Sequence, residues 1–153
     1  MKKLVIATNN PGKLKEIKEI FKELPFDIVS LKDLNINVKI EEDQDTFEGN
    51  ARKKALEVMR LTGEITLADD SGLEVEALNG MPGVLSARFA GVNASDEQNN
   101  EKLLNMMKDI PYEKRKARFR CVIAVAFPDG RILVSEGTCE GRIGYYPKGS
   151  NGF

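Results

Sequence analysis

Apolar and polar positions alternate along this chain in a way that predicts a mixed α/β protein. Leu4-Val5-Ile6-Ala7 is a short unbroken apolar run and reads as a first buried strand. Thr8-Asn9-Asn10-Pro11-Gly12-Lys13 follows as a loop, after which Leu14, Ile17, Ile20, Phe21 and Leu24 recur at helical spacing until Pro25. Residues 26–31 form a second strand candidate, and 35–40 a short irregular or extended segment. Thr46 has the character of a helix N-cap. The helix behind it carries Phe47, Ala51, Ala55, Leu56, Val58 and Met59 on its apolar side and ends before Gly63. Ile65-Thr66-Leu67-Ala68 then predicts a buried strand, and residues 73–78 a second extended run. Asp69-Asp70-Ser71-Gly72, between them, are residue types common in turns. Residues 79–84 read as a turn. Ser95 with Gln98 makes a capping box for a helix carrying Leu103, Leu104, Met106 and Met107. Two long strands, 117–127 and 132–139, are joined by a hairpin turn at 128–131. Gly137 and the stretch 141–144 suggest a bend and a further strand.

The 153 residues suit one domain, and 41% hydrophobic content is enough for a core at this size. Charged residues make up 31% of the chain, yet the net charge is only -1. That balance argues against a partner bound by bulk charge, whether nucleic acid or a membrane surface. No apolar run approaches the roughly 20 residues of a membrane span. The run after Met1-Lys2-Lys3 is too brief for a signal peptide. Cys121 and Cys139 lack CxxC spacing, and a reduced, cytoplasmic protein is the simpler reading. The absence of histidine removes Ser-His-Asp and Cys-His chemistry and the usual zinc sites. Any metal should be hard and oxygen-bound, with Mg2+ or Mn2+ leading.

Within this frame three features carry chemistry. Strand, glycine-containing loop and helix at 4–24 would present backbone N–H groups and a helix N-terminus to an anion. Lys13 in the first turn opposes the helix dipole unless an anion is near. The loop is not a Walker A sequence. Asp69 and Asp70, at the end of a strand, would repel each other unless a cation or proton lies between them. Glu42, in the acidic run 41–45, and Lys54 on the following helix complete the set. Arg52 and Lys53 read as a solvated helix face. Arg88 supplies one basic side chain near the presumed site. Together these residues suggest metal-dependent chemistry on a phosphorylated small molecule, with a nucleoside triphosphate and magnesium as the natural pair. The plainer alternative is a structural α/β protein whose acids are turn residues.

The chain resembles the inosine triphosphate pyrophosphatase family, the dITP/XTP pyrophosphatases. The resemblance rests on residues 7–13 (Ala-Thr-Asn-Asn-Pro-Gly-Lys), 46–51 (Thr-Phe-Glu-Gly-Asn-Ala) with Lys54-Ala55, and 68–73 (Ala-Asp-Asp-Ser-Gly-Leu). It continues through 80–84 and Ser86-Ala87-Arg88-Phe89, then Glu136-Gly137, Gly141-Arg142-Ile143 and 149–153. It implies a twisted mixed sheet flanked by helices, in two lobes with a cleft, usually as a homodimer. It implies hydrolysis of ITP, dITP and XTP to the monophosphate and pyrophosphate, which clears deaminated purines from the nucleotide pool. By the same resemblance Thr8, Asn9, Asn10, Lys13 and Lys54 hold phosphates, and Ser71 and Phe153 touch substrate. Glu42 and Asp70 hold magnesium, Asp70 activates water, and Asp69 is a supporting acid.

Two departures from the family pattern stand out. Gly49 occupies a position where the family often has glutamate, with Glu48 beside it. The chain also ends at Phe153, where the family continues into base-reading segments. The expectation is a single domain, 1–153, incomplete at its C-terminus and weakly active or inactive. Rival readings are a Maf-type pyrophosphatase, which prefers modified pyrimidines, and a nucleotide-binding module without catalysis.

Overall fold

Five strands and three helices make up the computed structural model, which describes residues 2–147. In chain order they are β1 (Lys2–Ile6), α1 (Pro11–Phe21), β2 (Phe26–Ser30), α2 (Phe47–Thr62), β3 (Ile65–Val75), α3 (Asp96–Met107), β4 (Lys116–Ala126) and β5 (Ile132–Arg142). The sheet order is β2-β1-β3-β4-β5, with β1 parallel to both β2 and β3. The sheet is mixed and flanked by helices, as the sequence predicts. By contact density the chain forms two compact units. One takes in the chain to Asp70 together with Val122–Glu136, and the other Ser71–Cys121 and the chain from Gly137 on.

In the first unit, Leu4 and Ile6 share one face of β1. They pack with Leu67 and with Leu14, Ile17 and Phe21 of α1. Val5, on the other face by the pleat, is also fully buried. A strand covered on both faces reads as an unbroken apolar run, which is why Leu4–Ala7 is legible. Each fully buried Ile, Leu or Val contributes about 1.5–3 kcal/mol. The α1 helix starts at Asn10, whose side chain accepts from the Gly12 and Lys13 N–H groups. The α2 helix is capped by Thr46, as predicted, and closed by Gly63 in the left-handed region at φ 69°.

In the second unit, Leu73, Val75, Phe89, Leu103 and Met107 form the core. The Ser95–Gln98 capping box is present in full at the start of α3. Arg115 is only 1% exposed. Its guanidinium donates to four main-chain carbonyls, those of Met107, Ile110, Ile143 and Gly144. Such bonding is what makes a buried cation tolerable.

Two expectations need correction. Residues 69–72 are not a turn: β3 runs unbroken from Ile65 to Val75 through Asp69-Asp70-Ser71-Gly72. Side-chain types suited to turns yield here to ladder pairing and burial, since Asp69, Asp70 and Gly72 are all buried. The bend and extra strand expected at 137–144 are likewise absent among the described residues. β5 instead continues through Gly137 and Gly141 to Arg142.

Candidate active site

β1 ends beside Leu67, early in β3, which runs on to Val75. The Ala7 N–H donates to the Leu67 carbonyl at 2.8 Å, so the loop leaving β1 stands beside the acids of β3. From β1 the chain crosses to β2 on one side and then to β3 on the other. That reversal is the switch point at which open α/β sheets hold ligands.

Successive residues of a strand project to opposite faces. Asp69 accordingly meets α1, where Lys13 Nζ lies 2.7 Å from its Oδ2. Asp70 meets α2, where Asn50 Nδ2 donates to its Oδ2 at 2.9 Å. The two acids therefore do not face one another across a shared cation, as their adjacency in sequence suggests. The pleat gives each its own partner. Lys13 finds its counter-charge in Asp69, which offsets its unfavourable place in the first turn of α1.

The acidic run 41–45 is held against α2 rather than free in solvent. Lys54 Nζ pairs with Glu42 Oε1 at 2.7 Å, and Lys53 Nζ with Asp43 Oδ1 at 2.8 Å and the Glu41 carbonyl at 2.9 Å. Lys53 thus has a structural task that its sequence context does not suggest. Arg52 pairs with Glu48 on the exposed face, as an i,i+4 pair should. Gly49 has a physical reason: a Cβ there would lie 2.9 Å from Gln44 Cβ and 3.0 Å from Thr46 Oγ1.

In the loop after β1, Thr8 Oγ1 accepts from the Asn10 N–H at 3.2 Å. Asn10 Oδ1 takes up the Gly12 and Lys13 N–H groups at 2.9 and 3.2 Å. The amides expected to cradle an anion are thus capped by Asn10 itself, while Asn9 is exposed. Ser71 follows Asp70 on β3 and is half-buried. Arg88 ends a 3-10 turn, Gly83–Arg88, in the second unit. Phe153 lies outside the described residues.

Sequence reasoning missed Asn50 as a site residue, although it stands within the Thr46–Ala51 motif. It is fully buried, on the same helix face as Phe47, Ala51, Ala55 and Val58. A lone amide on an otherwise apolar face is the signal that could have found it. Asp70, 6% exposed, is the most perturbed acid. Burial pushes its carboxyl up to about 6 and the charge of Glu42 adds to the rise. The Asn50 hydrogen bond, Lys54 and Lys13 oppose it.

This donor set fits a hard divalent cation. A desolvated carboxylate with a second acid close enough to raise its pKa is relieved by positive charge. Among the described residues no group of three or more His, Cys, Asp or Glu could hold a metal. Asp70 and Glu42 are the carboxylates that would hold such a cation.

Fold and residues together define an α/β protein with acid–lysine pairs at the switch point of its sheet. More specifically, the chain belongs to the Ham1 family, whose model matches residues 4–153. It is 54% identical over 151 residues to the dITP/XTP pyrophosphatase of Desulforamulus reducens, covering 99% of this chain and 75% of that protein. With the Geobacter sulfurreducens protein of the same description it shares 51% over 153 residues, covering 100% and 77%. Among solved structures, a HAM1 protein from Coxiella burnetii superposes with a TM-score of 0.89 at 38% identity, covering 100% of this chain and 78% of that one. The Staphylococcus aureus Ham1 protein superposes at 0.87 with 43% identity, covering 99% and 77%.

Proposed function

We propose that this chain hydrolyses deaminated purine nucleoside triphosphates (ITP, dITP and XTP) between the α and β phosphates. The products are the nucleoside monophosphate and pyrophosphate. The observation that carries the reading is the setting of Asp70: a buried carboxylate at the switch point, one oxygen held by Asn50, with Glu42 and two lysines around it. The names of the relatives at about half identity support the same substrate class.

In this reading Lys13 and Lys54 neutralise phosphate oxygens, and Thr8, Asn9 and Asn10 line the phosphate end. Ser71, next to Asp70 on β3, touches the rest of the substrate. Phosphoryl chemistry asks for such positioning and charge neutralisation more than for covalent help. Asp70 accepts the proton of the attacking water, a role that suits a carboxyl whose affinity for a proton burial has increased. Glu42 and Asp70 would hold magnesium, which when bound supplies charge neutralisation on the phosphate oxygens. The reading includes a cytoplasmic homodimer, following the family resemblance.

The test is pyrophosphate release from ITP and from ATP, with and without magnesium, by the chain and by Asp70→Ala. Magnesium-dependent release that favours ITP and vanishes in the variant is the expected result. Nucleotide binding without release would instead identify a binding module. Release unchanged by Asp70→Ala would remove Asp70 from the chemistry.

A further inference from the structure

We propose that Asn50 is a positioning residue that sets the distance between the two carboxylates of the cation site, Glu42 and Asp70. The inference rests on the reading of those acids as cation ligands. Asn50 is fully buried at the start of α2, and both ends of its amide are engaged. Nδ2 donates to Asp70 Oδ2, and Oδ1 accepts from the Gln44 N–H, each at 2.9 Å. Gln44 lies two residues beyond Glu42. One planar side chain therefore ties the acidic loop to the strand that carries the second acid. The amide offers a donor to the carboxylate and an acceptor to the N–H from one rigid planar group. An aspartate would set a second acceptor against Asp70, and alanine would leave the Asp70 carboxylate and the Gln44 N–H without these bonds.

The loop has little freedom to sit elsewhere. The Gly49 Cα faces Gln44 closely enough that an added methyl would meet its Cβ at 2.9 Å. Glu42 is held to Lys54, one helical turn on from Asn50. Glycine, asparagine and lysine at 49, 50 and 54 thus form one template for the loop. Partners that orient metal ligands typically change affinity by about 10–100-fold when removed.

The experiment measures binding of Mn2+ alone by loss of the free-ion EPR signal, together with urea unfolding, for the chain, Asn50→Ala, Gly49→Ala and Asp70→Ala. The expected result is Mn2+ binding by the chain, its loss in Asp70→Ala, and about 10–100-fold weaker binding by folded Asn50→Ala. Gly49→Ala, which keeps the amide but displaces the loop, should weaken binding as well. A folded Asn50→Ala with parental Mn2+ affinity overturns the inference and leaves the reading of the acids intact. In that case Asn50 is a structural residue whose loss moves only the urea midpoint. If Asn50→Ala does not fold, Asn50→Leu, which fills the volume without the two hydrogen bonds, decides on the same two outcomes. Absence of Mn2+ binding by the parent chain overturns the cation reading and this inference together.

Discussion

Asp69 and Asp70 show how adjacent identical residues acquire different chemistry. Asp69 faces a lysine at 2.7 Å, whereas Asp70 faces an amide and a second acid within a desolvated pocket. The second setting has a thermodynamic signature. Folded Asp70 holds its proton more tightly than the unfolded chain does, with a pKa of about 6 against 3.8. Stability therefore falls as pH rises through that interval, the cost being absent below about pH 4 and complete above about pH 6. A difference of that size corresponds to about 3 kcal/mol at most. Asp70→Asn, which keeps the shape without the charge, should accordingly be more stable than the parent at pH 8 in EDTA, by about 1–3 kcal/mol. The gain should vanish near pH 4, and the variant should lose turnover. Urea unfolding at the two pH values checks this, and an equal gain at both would disprove burial as the cause.

At the scale of elements, helix ends were the most legible features, because capping is local chemistry. Thr46, Gly63 and the Ser95–Gln98 box stand where residue type and spacing place them. Ser95→Ala removes the acceptor for the Gln98 N–H and should cost about 1 kcal/mol, read as a lower urea midpoint with an unchanged slope. Strands were less legible. β3 crosses four residues that by type favour a turn, and β5 crosses two glycines. Strand pairing depends on neighbours distant in sequence, and a short window of side-chain types carries little of that information.

For the whole molecule, ligand binding and folding are linked. A ligand that binds only the native state stabilises it by RT ln(1 + [L]/Kd), about 2.7 kcal/mol at one hundred times Kd. Magnesium with a non-hydrolysable ITP analogue at that level should raise the melting temperature by about 5–10 °C for a chain of this size. EDTA should reverse most of the gain. Scanning calorimetry with and without chelator reads both, and a shift insensitive to EDTA would count against the cation.

The amino-acid sequence by itself determined the class of fold and the caps at Thr46, Gly63 and Ser95, and it supplied the candidate site residues by type and motif. These follow from periodicity, local hydrogen bonding and short motifs, all carried by neighbours along the chain. Tertiary structure alone decided the partnerships. The pleat separates Asp69 from Asp70, α1 brings Lys13 to the one, and α2 brings Asn50 to the other. The buried Arg115 likewise gains its role only when the end of α3 and the stretch that follows β5 deliver their carbonyls to one guanidinium. Such pairings depend on which side chains a sheet face and its covering helix bring within hydrogen-bonding distance, and that proximity exists only once the chain has folded.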